Sequence, residues 1–242
     1  PAAPAARTLD LPRTLGHTGL QTSGGSVVMS HWVPVGGDPS RIRFYLDRID
    51  LSDPDAPAIA SVNVPGSLLS FDAARGDLLT MDYRRRRHLH VSAGECYELG
   101  WDTTFEPDVA DRWDGPGTCT AVERSLMLVE IAGNTASVAD VHRLGEGISV
   151  WEAWTGEDRV FAETQSGSYG EAPWYGRSLV VIGGMRAGEL SVRRATDPRR
   201  ATTHPLAVSG ARLLLGSWTP SVLSTLDASD LDDLRVVRRA TL

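Results

Sequence analysis

One pattern of four short strands recurs four times along this chain, and it limits the possible folds more than any other feature of the sequence. In each copy a glycine or acidic turn leads into an apolar strand, a second apolar strand follows, and a more polar strand of alternating character comes last. The strands after the four turns read GGSVVMSHW, RGDLLTMDY, GEDRVFAETQ and GARLLLGSW. The strands before them read HTGLQTS, which is the weakest, SLLSFDA, ISVWEAW and HPLAVSG. Such a sequence predicts an all-β fold.

The length of the units indicates the architecture. The strands that follow the turns begin near Ser26, Asp77, Arg159 and Ala211, so successive units start 51, 82 and 52 residues apart. Four antiparallel strands in about 50 residues are typical of a β-propeller blade. A β-sandwich is the alternative, but sandwiches rarely contain four aligned copies of one pattern. We therefore predict a β-propeller of four four-stranded antiparallel blades over 21–66, 67–145, 146–196 and 202–242, after a linker-like segment over 1–20.

The second unit is longer than the others because it carries an insertion over 83–124. Both cysteines of the chain, Cys96 and Cys119, lie in this insertion, and no CxxC pair or suitably spaced histidine indicates a metal site. We predict a disulfide bond between them, with two free thiols as the alternative. A bridge of this span stabilises by about 3 kcal/mol in the chain-entropy treatment and indicates an oxidising compartment. The insertion is too polar to bury, so we expect it to project from the blades.

Composition and charge exclude some classes of function. The 242 residues carry a net charge of −7, whereas nucleic-acid binding normally requires a basic face, so we expect no nucleic-acid partner. No stretch approaches the length of apolar sequence that spans a membrane. No signal peptide is recognisable and the first residue is proline, so we expect a processed chain.

A run of four arginines, Arg84, Arg85, Arg86 and Arg87, forms a possible interface for an anion or an acidic partner. The run is also close in sequence to acids of the insertion, and internal pairing with them is the interpretation we favour. Calcium binding by those acids is the alternative, although their order does not match an EF-hand loop. The acids are Glu95, Glu98, Asp102, Glu106, Asp108, Asp111 and Asp114.

Two histidines, His88 and His90, follow the arginines. In an extended segment, positions i and i+2 point to the same side, where two imidazoles would suit a metal ion. No third ligand lies at a short fixed offset, so an exposed polar loop is the favoured interpretation. We expect no metal and no other cofactor.

Aromatic residues cluster in the third unit. Trp151 and Trp154 lie in a strand, and we expect them in the core. Trp174 and Tyr175 lie in a loop, where exposed aromatic side chains can act as interface anchors, with burial in the core as the alternative.

Catalytic signatures are weak. Ser30 and His31 are adjacent, but there is no G-x-S-x-G motif, and neighbouring residues on a strand point to opposite faces. The strands before the turns contain two carboxylates, Asp72 and Glu152, which would suit a glycosidase if they were suitably separated. We expect no catalytic residue, and we keep a glycoside or ester hydrolase with a site at the central channel as the alternative function.

One segment carries a family resemblance. The sequence FYLDRIDLSDPDAPAIASVNVPGSLLSFDA, with its DLSDP turn at Asp50–Pro54 and its VPG turn at Val64–Gly66, resembles the secreted bacterial β-propeller domain family. The specific match covers Val27–Asp82, and the later repeats are degenerate. The resemblance implies a propeller fold and export, and it implies no reaction, because members of the family mostly lack an assigned activity.

These features together indicate an exported, non-enzymatic binding or scaffold module in a protein assembly. Four blades that do not close would expose two apolar blade faces, which is more than a soluble monomer tolerates. We therefore expect a protein partner to supply the missing blades of a seven- or eight-bladed propeller. The partner would be another part of a cleaved precursor or a second copy of the chain, and a self-closed four-bladed ring is the alternative.

Overall fold

The computed structural model describes residues 16–23, 26–51, 53, 58–72, 75–99, 104–107, 116–146, 148–166, 176–195, 203–218 and 221–241. In this part of the chain, four antiparallel sheets follow one another along the sequence, with one short α-helix and one turn of 3-10 helix between strands. The predicted all-β fold, with four successive units of antiparallel strands, is therefore confirmed.

Three of the sheets are meanders, in which each strand pairs with the next along the chain, and the second sheet is a meander with one additional short strand at its edge. The first sheet contains β1 (Gly16–Ser23), β2 (Ser26–Val35), β3 (Asp38–Asp50) and β4 (Ala58–Val64). The second contains β5 (Ser67–Asp72), β6 (Asp77–Val91), β7 (Thr104–Pro107), β8 (Gly117–Ala132) and β9 (Thr135–Glu146), with α1 (Ala93–Glu98) between β6 and β7. β1 begins within the segment that we assigned to a linker.

The last two sheets repeat the order of the first. The third sheet contains β10 (Ile148–Thr155), β11 (Val160–Ser166), β12 (Gly176–Gly183) and β13 (Ser191–Ala195), with the 3-10 turn Met185–Ala187 after β12. The fourth contains β14 (Thr203–Ser209), β15 (Arg212–Trp218), β16 (Ser221–Asp227) and β17 (Arg235–Thr241). The short strands predicted before each turn thus form the first strand of every sheet.

The insertion in the second sheet starts as an extension of the hairpin formed by β6 and β8. These two strands stay paired from Tyr83 opposite Arg124 to Val91 opposite Gly117, and β7 adds to the far edge of β8. The helix α1 begins with a capping box, in which Ser92 and Glu95 each accept a hydrogen bond from the other's backbone N–H.

A disulfide bond joins the helix of the insertion to β8. Cys96 in α1 is bonded to Cys119 in β8, and both residues are buried. The predicted bridge is therefore confirmed. It holds α1 against the paired strands, where the helix of six residues would be too short to be stable alone.

Both faces of the two middle sheets are buried because successive side chains on a strand point to opposite sides. In β6, Leu78 packs against the first sheet and Leu79 packs against the third. In β11, Val160 packs against the second sheet and Phe161 packs against the fourth. Burying each such side chain stabilises the fold by about 1.5–3 kcal/mol. The apolar runs in the sequence therefore form hydrophobic cores between successive sheets.

The first strands of the four sheets stand side by side in chain order. β1 contacts β5, β5 contacts β10, and β10 contacts β14. Gln21 of β1 donates to the carbonyl of Leu69 at 2.5 Å and accepts from the backbone N–H of Phe71 at 3.0 Å. The hydroxyl of Thr155 in β10 donates to that of Ser70 in β5 at 3.1 Å. These contacts bring together strand ends that are distant in sequence.

The described residues contain no helix that is long and apolar enough to span a membrane.

Candidate functional site

A cavity of about 810 Å³ lies where the first strands of the four sheets end. Small-molecule sites usually occupy about 300–1,000 Å³, so the cavity has the size of a ligand site. All four sheets contribute to its wall. The lining consists of residues 20–22 of β1, Phe71 and Asp72 of β5, 153–157 at the end of β10, Arg186 of the 3-10 turn and Val208 of β14.

Close backbone packing holds the wall between the third and fourth sheets. Gly156 follows β10 directly, and its N–H donates to the carbonyl of Arg159 at 2.7 Å. A Cβ at this position would lie 2.2 Å from the carbonyl oxygen of Gly210, so there is no room for a side chain. The Arg159 guanidinium also donates to the carbonyl of Ala228 at 3.1 Å, which ties β11 to the end of β16. These contacts give the strand ends around the cavity a defined position.

Three charged residues line the cavity. Asp72 ends β5, Glu157 follows β10, and Arg186 lies in the 3-10 turn of the third sheet. The Arg186 and Glu157 side chains approach to 3.8 Å, and 54% and 77% of their surfaces are exposed. Such an exposed pair contributes little to stability, so both groups remain accessible to a ligand. Trp154 and Leu20 add apolar surface next to them.

Of the two carboxylates that we considered for a hydrolase, the cavity includes only Asp72. Glu152 is exposed on β10 and lies opposite Glu163 of β11. The second carboxylate of the cavity is Glu157, which sequence reasoning missed together with Arg186. Both lie in turns after strands, and the position of Glu157 directly after ISVWEAWTG was the signal that would have identified it.

A polar network built on two buried residues crosses the first sheet. His31 Nδ1 of β2 lies 2.5 Å from Asp47 Oδ2 of β3, and the Ser61 hydroxyl of β4 donates to the other oxygen of Asp47. The ring of Tyr45 stacks on His31 at 5.1 Å between centroids. Asp47 is 0% exposed and His31 is 4% exposed.

This network does not have the order of a catalytic triad, because its serine donates to the aspartate instead of to the histidine. The hydroxyl of Ser30 accepts from the backbone N–H of Leu68 at 3.1 Å, toward the second sheet. Ser30 and His31 thus point to opposite faces, as the sequence predicted. The network joins β2, β3 and β4, and its role is to hold the first sheet together.

The four arginines lie in β6, on the extended hairpin rather than in a loop. Arg84, Arg85 and Arg87 are exposed. Arg86 Nε lies 2.8 Å from Glu123 Oε2 and 3.6 Å from Glu146 Oε1. Arg86 is therefore paired internally, but its partners are acids of β8 and β9 and not the seven acids named from the sequence.

The two histidines also lie in β6 rather than in the loop that we expected, and His90 forms a bulge in that strand. His88 Nε2 lies 2.9 Å from Glu146 Oε2, although this contact is not aligned as a hydrogen bond. His90 is exposed, has a φ of 61°, and interrupts the regular pairing of β6 with β8. In the part of the chain that the structure describes, no three histidine, cysteine or acidic side chains are grouped so as to hold a metal ion.

Several predicted residues lie outside the described residues. They include Trp174 and Tyr175, and of the acids of the insertion Asp102, Asp108, Asp111 and Asp114. The side chains of Trp151 and Glu98 are likewise outside the part of the chain that the structure describes. Trp154 packs against the core between the third and fourth sheets, as expected, and also reaches the cavity.

A second cavity, of about 340 Å³, lies between the first two sheets near the turn from β4 to β5. It is lined by Asp82 of β6 and by Arg41 and Arg43 of β3. Burial raises the pKa of the Asp82 carboxyl above its ordinary value of 3.8, and a hydrogen bond from the backbone of Tyr83 opposes this in part. The ionised form of Asp82 is therefore disfavoured in the folded protein.

Asp82→Asn is expected to stabilise the protein at pH 7 by up to about 1 kcal/mol. The pKa of Asp82 is higher in the folded than in the unfolded state, so its contribution to stability is lost as the pH rises above 3.8 through the folded pKa. The gain from the substitution should therefore vanish at a pH well below 3.8. Urea unfolding across this range measures the effect.

Asp227→Asn is the matched control, because the pKa of Asp227 is lowered in the folded protein whereas that of Asp82 is raised. Hydrogen bonds from the hydroxyl and then the backbone N–H of Ser229 lower the pKa of Asp227. This substitution should destabilise at neutral pH, and the difference should disappear as the pH falls through the folded pKa. A loss of stability in Asp82→Asn at pH 7 would contradict the assignment.

Comparison with known proteins does not assign a family: no family model matches the chain, and no curated protein matches it.

Proposed function

We propose that the four sheets are blades of a β-propeller, and that the chain is an exported, non-enzymatic binding module whose site is the cavity at the strand ends. One observation carries this proposal. The first strands of all four sheets adjoin in chain order, and residues at their ends line one cavity. In a propeller the innermost strands of the blades likewise line the central channel.

The packing between sheets supports the same arrangement. Each interface between successive sheets contains a hydrophobic core. Side-chain contacts also link neighbouring sheets outside the cores, since Asp140 of β9 accepts from the backbone N–H of Leu190 at 2.6 Å. Arg193 of β13 pairs with Asp232 before β17 at 2.9 Å.

Two features support export. The bond between Cys96 and Cys119 is typical of oxidising compartments. The DLSDP resemblance points to a secreted family, and the related turn at the end of β16 has the expected capping. There Asp227 Oδ1 accepts from the backbone N–H of Ser229 at 3.0 Å and from its hydroxyl.

The chemistry of the cavity favours binding over hydrolysis. Glu157 is mostly exposed and lies 3.8 Å from Arg186, whereas the general acid of a glycosidase normally lies in an apolar pocket that excludes water. A hydrolase remains the alternative, because Asp72 and Glu157 both line the cavity. Turnover of aryl glycosides or aryl esters that disappears in Asp72→Asn would establish that alternative, and we expect none.

We further propose that a second copy of the chain supplies the remaining blades, giving an eight-bladed ring. The support is the face of the fourth sheet that points away from the third. Strand alternation places Leu214 and Leu223 on that face, partly exposed, because Leu213, Leu215 and Leu226 face the third sheet. One observation favours the self-closed ring instead: Met29 and Ile49, on the far face of the first sheet, are only 7% exposed.

Light scattering and small-angle X-ray scattering on the purified chain test this arrangement together. We expect a mass of about twice the 26.1 kDa of one chain and a radius of gyration of about 23 Å. A compact monomer with a radius of about 18 Å would contradict the shared ring and leave a closed four-bladed ring. An elongated particle would contradict the blade arrangement itself.

A further inference from the structure

We propose that the cavity at the strand ends binds a short neutral oligosaccharide. This inference rests on the proposed function, since it names the ligand of the same site. It is argued from the charges, the apolar surface and the size of the cavity.

The charged groups of the cavity suit hydroxyl groups better than they suit a charged ligand. Asp72 and Glu157 can each accept hydrogen bonds from more than one hydroxyl, while the guanidinium of Arg186 only donates. A sugar hydroxyl both donates and accepts, so adjacent hydroxyls can satisfy an acid and an arginine together. An anion would meet two carboxylates, and a cation would meet Arg186. Neither sign of charge is therefore well matched to this lining.

Apolar surface lies directly beside these polar groups. Trp154 of β10 lines the cavity and also packs against the core. Leu20 of β1 lines the cavity as well and is 67% exposed. A pyranose ring has an apolar C–H face and a rim of hydroxyls, so it requires apolar and polar groups next to each other. The cavity offers this combination without a predominantly apolar interior.

The size and accessibility of the cavity favour an oligosaccharide over a single sugar. The volume of about 810 Å³ is near the upper end of the range for small-molecule sites. Glu157 and Arg186 are more than half exposed at its edge, so a ligand held there continues toward solvent. Thr22 of β1 and Thr155 of β10, the first strands on either side of β5, add hydroxyls to the lining.

Isothermal titration with cellotriose, maltotriose and chitotriose tests the inference directly. We expect at least one of the three to bind the full chain, and we expect Asp72→Asn and Glu157→Gln each to weaken binding at least tenfold. Glu130→Gln is the matched control, because Glu130 is exposed on β8 and does not line the cavity. It should bind as tightly as the unchanged protein.

Tryptophan fluorescence gives a second readout that does not depend on the acidic variants being folded. The bound sugar should change the emission of the unchanged protein, and Trp154→Phe should lose most of that change. Binding of none of the three sugars would overturn the inference, as would equal weakening in Glu130→Gln. Salt-sensitive binding of an arginine-rich hexapeptide in place of the sugars would also overturn it. The scattering experiment is independent of these results, so a failed sugar titration with the expected ring leaves the proposed fold and binding role in place.

Discussion

Gly66→Ala is expected to lower the free energy of unfolding by about 4 kcal/mol. Gly66 lies in the turn that carries the chain from β4 to β5, and its φ of +80° is a conformation that L side chains rarely adopt. A Cβ at this position would lie 2.3 Å from the carbonyl oxygen of Met81 in β6. The strain of the backbone and the displacement of β6 therefore add to each other. Urea unfolding measures the loss.

Gly37→Ala separates these two causes. Gly37 has the same φ of +80°, but a Cβ there would have no atom within 4 Å. We expect this control to lose only about 1–2 kcal/mol from backbone strain. Equal losses in both variants would show that β6 does not pack closely against the turn between the first two sheets.

Asp47→Ala is expected to lower the free energy of unfolding by about 3–5 kcal/mol, because it removes the buried carboxylate that pairs with the buried His31. Asp47 is fully buried and contacts His31 and Ser61 on the two neighbouring strands. The alanine leaves His31 in a buried environment without this carboxylate, whereas the exposed Ser61 hydroxyl can bond to water. Urea unfolding at pH 7 measures the change.

Asp232→Ala is the matched control for this prediction. Asp232 also pairs with a basic side chain, Arg193, but its own side chain is 80% exposed. We expect it to lose less than about 1 kcal/mol. A similarly small loss in Asp47→Ala would contradict the assignment of the His31–Asp47–Ser61 network as the polar support of the first sheet.

The strands were predictable because each sheet is built from segments that are neighbours in sequence. The alternation and the apolar runs of SLLSFDA and ISVWEAW, for example, correspond to β5 and β10. The pairing of Cys96 with Cys119 was predictable for a similar reason, since the chain contains only these two cysteines and both lie in one insertion.

The partners of charged residues were less predictable, because they depend on strand register. Proximity in sequence favoured pairing of Arg86 with acids such as Glu95. The pairing of β6 with β8 instead sets Arg84 opposite Glu123, which brings Glu123 beside Arg86. The bulge at His90 likewise depends on how β6 pairs with β8. The i, i+2 spacing of the two histidines therefore did not predict their orientation.

The candidate site illustrates the same division. Asp72 was found from the sequence because it lies in a recognisable first strand, but Glu157 and Arg186 lie in turns with no motif of their own. Their proximity to Asp72 arises only when the third sheet packs against the second. The sequence by itself therefore determined the four successive units of strands and indicated the disulfide, since these follow from local periodicity and composition. Only the tertiary structure decided which strand ends share a cavity, because the packing of apolar faces joins residues that are far apart in the chain.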